Sequence, residues 1–166
     1  IMMIVGPILT LIMAFTGPLS PNAGVSWSDT QAVLGELAAA NTDWAQINFL
    51  LLSIGLIMQV LGIRYFVNSM NSNDSVANYS LTGGMAMIMG VIVVFGEGLF
   101  YGAAANAAAI AGGAGMGTAA SMWAGGQAFG AGGSILLFLG MALVSISAYV
   151  TNTFNKIIAI LLTVVT

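Results

Sequence analysis

LTGGMAMIMGVIVVFGEGLFYGAAA, residues 81–105, decides the fold class. A helix needs about 20 residues to cross a hydrocarbon core of ~30 Å, and this run is longer and carries a single charge, Glu97. It reads as a transmembrane α-helix. Working outward, the stretch from residue 44 to 64 is a second such run, opened by Asp43-Trp44-Ala45-Gln46, which has capping-box spacing, and closed by Arg64 and Tyr65. Its interior is interrupted only by Asn48, Ser53 and Gln59.

Composition points the same way. Hydrophobic side chains make up 59% of the 166 residues and charged ones 4%, against roughly 25% charged in ordinary soluble domains. Two basic and five acidic residues cannot cover a water-facing surface. The expected class is therefore an all-α integral membrane protein, a bundle of about four to five transmembrane helices with a short interfacial helix. Its solvent and first partner is the lipid bilayer.

The remaining spans are less regular. Residues 1–16 are short for a crossing, contain Pro7, and are ended by Gly17-Pro18 and Pro21. The chain begins at Ile1 and stops at Thr166 inside an apolar run, so one or both ends are expected to be processed or truncated. Residues 134–151 form a fourth span. A fifth begins at 157–166, after the turn Thr151-Asn152-Thr153. Residues 28–40 are expected to lie on the membrane as an interfacial helix, with Ser28-Asp29-Thr30-Gln31 as a capping box and Val33, Leu34, Leu37 and Ala38 on one face. Trp27 and Trp44 flank it and suit the headgroup level. Between the third and fourth spans, 106–133 is almost wholly Ala and Gly. Glycine costs about 1 kcal/mol against alanine in a helix, so a long, partly helical connection is expected there rather than an independent span. All of this forms one polytopic membrane domain over 1–166.

Glu97 is the sharpest functional clue, because a carboxylate at the centre of a span costs roughly 2.5–3.5 kcal/mol on insertion scales. Two readings are open. The acid lies on an ion or proton path, or it makes a structural hydrogen bond to a neighbouring helix, with Gly96 and Gly98 permitting close approach. A second clue is the spacing Gly98-x-x-x-Gly102, Gly113-x-x-x-Gly117 and Gly126-x-x-x-Gly130. In lipid, helices associate by van der Waals approach, and glycine pairs permit it. These six glycines are the candidate helix-packing interface. Met85, Met87 and Met89 could suggest a thioether metal site, but steps of two residues on a helix turn successive side chains about 200° apart. They are expected to pack.

Cysteine and histidine are absent, which removes thiolate, haem and conventional zinc or copper chemistry from this chain. No catalytic residue, cofactor or metal site is expected. Arg64 and Lys156 are the only basic residues, so there is no footprint for nucleic acid. They fall on one side of the predicted bundle, with Asp29, Glu36 and Asp43 on the other. The positive-inside rule makes the Arg64/Lys156 face cytoplasmic, in a cell or inner membrane. Asn73-Asp74-Ser75 and Asn78-Tyr79-Ser80 fit the glycosylation pattern and pull the other way.

These features point first to a non-catalytic accessory subunit of a larger membrane complex, such as an energy-converting or oxidoreductase assembly, with hetero-oligomer favoured over homo-oligomer. The alternative is a small homo-oligomeric channel or transporter with Glu97 on the ion or proton path.

Overall fold

The computed structural model describes residues 1–17, 24–39, 43–70, 77–110 and 113–152. Among these, five helices follow one another: α1 (Met2–Thr16), α2 (Thr30–Ala39), α3 (Asp43–Met70), α4 (Ala77–Ala108) and α5 (Met116–Val150). Three stretches within them are long and apolar enough to cross a membrane: Ile47–Asn68, Asn78–Ala108 and Met116–Val150, with mean hydropathies of 1.9, 1.8 and 2.0. The expected span at 157–166, together with Lys156 and the sequon at 73–75, lies outside the described residues. Among the described residues three helices, against the four to five expected over the whole chain, are long and apolar enough to cross a membrane, and this is the first difference.

The second concerns the Gly/Ala-rich segment. Residues 116–133 are not a connection but the first half of α5, continuous with the expected span at 134–151. The reason is tertiary. Gly126, Gly130, Gly133 and Gly140 are buried on the face of α5 that meets α4. A Cβ at Gly83 would lie 2.8 Å from the Gly140 carbonyl oxygen, and one at Gly90 would lie 2.8 Å from that of Gly133. The two helices thus run antiparallel with their backbones in direct approach, and this contact offsets the poor intrinsic helicity of glycine. The turn between them is equally specific. Gly113 has φ +74°, in the left-handed region, and a Cβ at Gly115 would overlap the Ala107 carbonyl.

At roughly 1.5 Å per residue, α4 and α5 are longer than a ~30 Å core requires. The end where α4 stops and α5 starts carries α2. Val33, Leu34 and Leu37 are fully buried there against Tyr101, Ala104, Ala108, Ala119 and Trp123. The face expected to lie in the headgroup layer is therefore covered by protein. Small side chains on α4 and α5 leave the groove that α2 fills. Its N-terminus is capped as a helix start requires, Ala32 N–H donating to Asp29 Oδ1 at 3.1 Å.

α1 is too short to count among the spans and lies antiparallel along α3. It ends because Gly17, with ψ 168°, precedes a proline and cannot continue the helix. Polar groups tie it down. Asn48, 1% exposed, donates from Nδ2 to the Met13 carbonyl at 3.0 Å and to Thr16 Oγ1 at 3.3 Å. Gln59 Nε2 donates to Thr10 Oγ1 at 2.9 Å. Asn48→Leu is expected to remove about 1 kcal/mol and lower the thermal-unfolding midpoint in detergent by roughly 2–4 °C. An unchanged midpoint would show that α1 is held by packing alone.

Candidate functional site

Glu97 and Tyr101 are four residues apart on α4 and so share one helix face. The Tyr101 hydroxyl donates to Glu97 Oε1 at 2.5 Å, and Gln127 Nε2, from α5, donates to the Tyr101 oxygen at 2.7 Å. This places a three-residue polar chain across the α4–α5 contact. The other carboxylate oxygen, Oε2, makes no hydrogen bond among the described residues.

Glycines opposite make the room. A Cβ at Gly126 would meet the Tyr101 ring at 2.5 Å, and one at Gly130 would lie 2.5 Å from the Glu97 carboxyl carbon and 2.6 Å from Oε2. The Tyr101 ring is fixed in turn. It stacks on Trp123 with centroids 4.5 Å apart, and the Trp27 ring meets it edge-on at 6.2 Å.

Away from Gly130, Glu97 is also one of the residues lining a cavity of about 380 Å³ between α1, α3 and α4. Thr10 and Met13 of α1, Asn48 and Phe49 of α3, Gly98 of α4 and Trp27 are among the residues that share the wall with Glu97 and Tyr101. Most of that wall is apolar. Glu97 is partly buried, within a helix long and apolar enough to span a membrane. Arg64, the one described basic side chain, lines a separate groove with Asn68 and Leu81, toward the opposite end of α3. Chemically, the site can accept a proton or a cation at Oε2 while Oε1 is held by a phenol.

The other residues singled out in the sequence are distributed as follows. Gly126 and Gly130 are in the α4–α5 contact. Gly98, Gly102 and Gly117 have open space where a side chain would go, and Gly113 is in the turn. Trp27 is half-exposed but packs on Tyr101 and Trp123, its centroid 5.5 Å from the latter. The side chain of Trp44 lies outside the described ones.

Sequence reasoning missed the principal packing signal, which has a period of seven rather than four. Gly83, Gly90 and Ala104 on α4 are buried at multiples of seven, and Ala119, Gly126, Gly133 and Gly140 repeat every seven on α5. A sustained seven-residue repeat of small residues marks a helix seam. Glu97 occupies the one position of the α4 series that is not small. Tyr101, Gln127 and Asn48 were also missed. Asn48 and Gln59, three helical turns apart on α3, offered a signal for a polar face toward a neighbour.

Comparison with protein families, with curated proteins and with solved structures finds no match to this chain. What fold and site define is a class: a helical protein with, among the described residues, three helices long and apolar enough to cross a membrane and a carboxylate set within one of them.

Proposed function

We propose that this chain is a small multi-pass membrane transporter or channel in which Glu97 exchanges a proton or cation along the path. One observation carries this reading. Glu97 lines a cavity, one of its carboxylate oxygens makes no hydrogen bond, and no basic side chain pairs with it among the described residues, so its cost in an apolar helix is not offset by an ion pair. Tyr101 and Gln127 then serve to position it. Lacking histidine and cysteine, the chain is read as non-catalytic. The Arg64/Lys156 side is assigned to the cytoplasm on the positive-inside argument.

The test is reconstitution of the purified full chain in liposomes, with proton and sodium flux measured for the native protein and for Glu97→Gln. Flux that falls to the level of empty liposomes in the variant supports the reading. Flux equal in both removes it.

A second reading, an accessory subunit in a hetero-oligomeric membrane complex, is favoured by one separate feature. Gly102 and Gly117 have no neighbour among the described residues where their side chains would be, leaving small-residue surface to a partner helix. Gly102→Leu is expected to leave the thermal-unfolding midpoint of the isolated chain unchanged. In native membranes solubilised in mild detergent, the same substitution is expected to release co-purifying subunits. If nothing co-purifies with the native chain, this reading is lost.

A further inference from the structure

We infer that the cavity between α1, α3 and α4 is a binding site for an organic monocation, an amine carrying an aryl or alkyl body. The inference rests on the reading of Glu97 as the cation-accepting group and adds the chemical class of what it accepts.

Size comes first. About 380 Å³ is within the range of small-molecule pockets and far exceeds the ~30 Å³ share of one water. A proton or a bare metal ion needs no such space.

The donor set decides between cations. A dehydrated metal ion such as calcium or magnesium takes about six or more oxygens. Here Glu97 is the one acid among the lining residues, and its neighbouring polar groups are already engaged. The Thr10 hydroxyl donates to the Gly6 carbonyl and accepts from Gln59, and the Asn48 amide nitrogen is bound to α1. An ammonium group, by contrast, needs one carboxylate oxygen and is further stabilised by aromatic faces. Trp27, Phe49 and Tyr101 supply rings in the same wall. The rest of the lining, including Met13, Leu52 and Leu56, would receive an apolar body. An anion would meet the Glu97 carboxylate, with no lysine or arginine in the wall to hold it.

Polarity and shape therefore combine as they would for an amphiphilic amine. The charge is at one end, against Glu97, and the hydrocarbon extends along α1 and α3. Trp123 stacked behind Tyr101 holds that ring in place before any ligand arrives.

The experiment uses the full chain in nanodiscs and three probes: 4-phenylbutylamine, its neutral isostere 4-phenylbutan-1-ol, and sodium chloride. Binding is read by calorimetry and by tryptophan fluorescence. The amine is expected to bind more tightly than the alcohol, and Glu97→Gln to weaken the amine by roughly ten- to hundredfold while leaving the alcohol unchanged. Trp27→Ala, which keeps the carboxylate, is expected to weaken the amine by a smaller factor. Thermal unfolding of each variant confirms that it is folded. Equal affinity for amine and alcohol, or an amine affinity indifferent to Glu97, overturns the inference. If Glu97-dependent proton or sodium flux is found with no amine binding, the organic-cation assignment fails and the transport reading stands. If Glu97-dependent amine binding occurs without flux, the assignment stands and the transport reading fails.

Discussion

Gly133→Leu is expected to be among the most damaging single substitutions in the chain, while Gly132→Leu, one residue away, is expected to be nearly silent. A Cβ at Gly133 would lie 2.7 Å from Val94 Cγ2, 2.9 Å from the Gly90 carbonyl oxygen and 2.9 Å from the Val94 nitrogen. Two of these three atoms are backbone and cannot rotate away. The helices must separate, and the Gly83–Gly140 approach on the same seam is lost with them. Overpacking of a close contact costs about 1–3 kcal/mol, and the three further carbons of leucine place this substitution at or above the upper end. At Gly132 a Cβ meets nothing, and replacing glycine within a helix gains helical propensity. Thermal unfolding in detergent, followed by circular dichroism, separates the pair. Equal midpoints would mean that α4 and α5 are not joined along this seam.

The second large effect is functional and spares the fold. With Gly130→Ala the added methyl would fall 2.5 Å from the Glu97 carboxyl carbon, but that carboxylate is the far end of a flexible side chain. It can swing away. The expected result is a chain that retains its unfolding midpoint to within about 1 kcal/mol of stability while losing the Tyr101–Glu97 hydrogen bond. Liposome flux is expected to fall toward that of Glu97→Gln, which removes the charge altogether. Tyr101→Phe provides the comparison, since it deletes the same hydrogen bond and leaves the carboxylate in place. If Gly130→Ala lowers stability as much as Gly133→Leu does, the glycine serves the seam and not the acid. If it leaves both stability and flux intact, the position of the carboxylate is immaterial to the proposed function.

These two positions also mark how far the sequence could be read. Glu97 was legible at once, because an acid within an apolar run is conspicuous wherever the helix lies. Its partners were not. Tyr101 is close in sequence but looks like an ordinary interfacial aromatic, and Gln127 is distant and sits in a stretch whose glycines argue against a helix. The spacing of four directed attention to Gly98, which lines the cavity, and Gly102, which meets no neighbour, and away from Gly83, Gly90 and Gly133, whose period is seven. A period of four describes glycines that fall along one helix face in isolation. A period of seven reports that the face meets a second helix, and it is recognised only when both partners are compared.

α2 shows the same limit from another side. Val33, Leu34 and Leu37 predicted an apolar face correctly, and that face is buried. Hydrophobic patterning states that a face avoids water without stating what covers it. Lipid headgroups and the small-residue surface of α4 and α5 satisfy the pattern equally well.

By itself, then, the stretch 81–105 and the scarcity of charge around it determined that the protein is helical and suited to a membrane, because length and hydropathy are properties of a segment alone. Tertiary structure decided what the segment could not carry. It joined the Gly/Ala run to the following span as one helix, since glycine's helical cost is offset only by a neighbour close enough to use the missing side chain. It also joined the Glu97 carboxylate to a phenol, against Gly130 and beside a cavity that the residue lines, which depends on which helices meet and at what register.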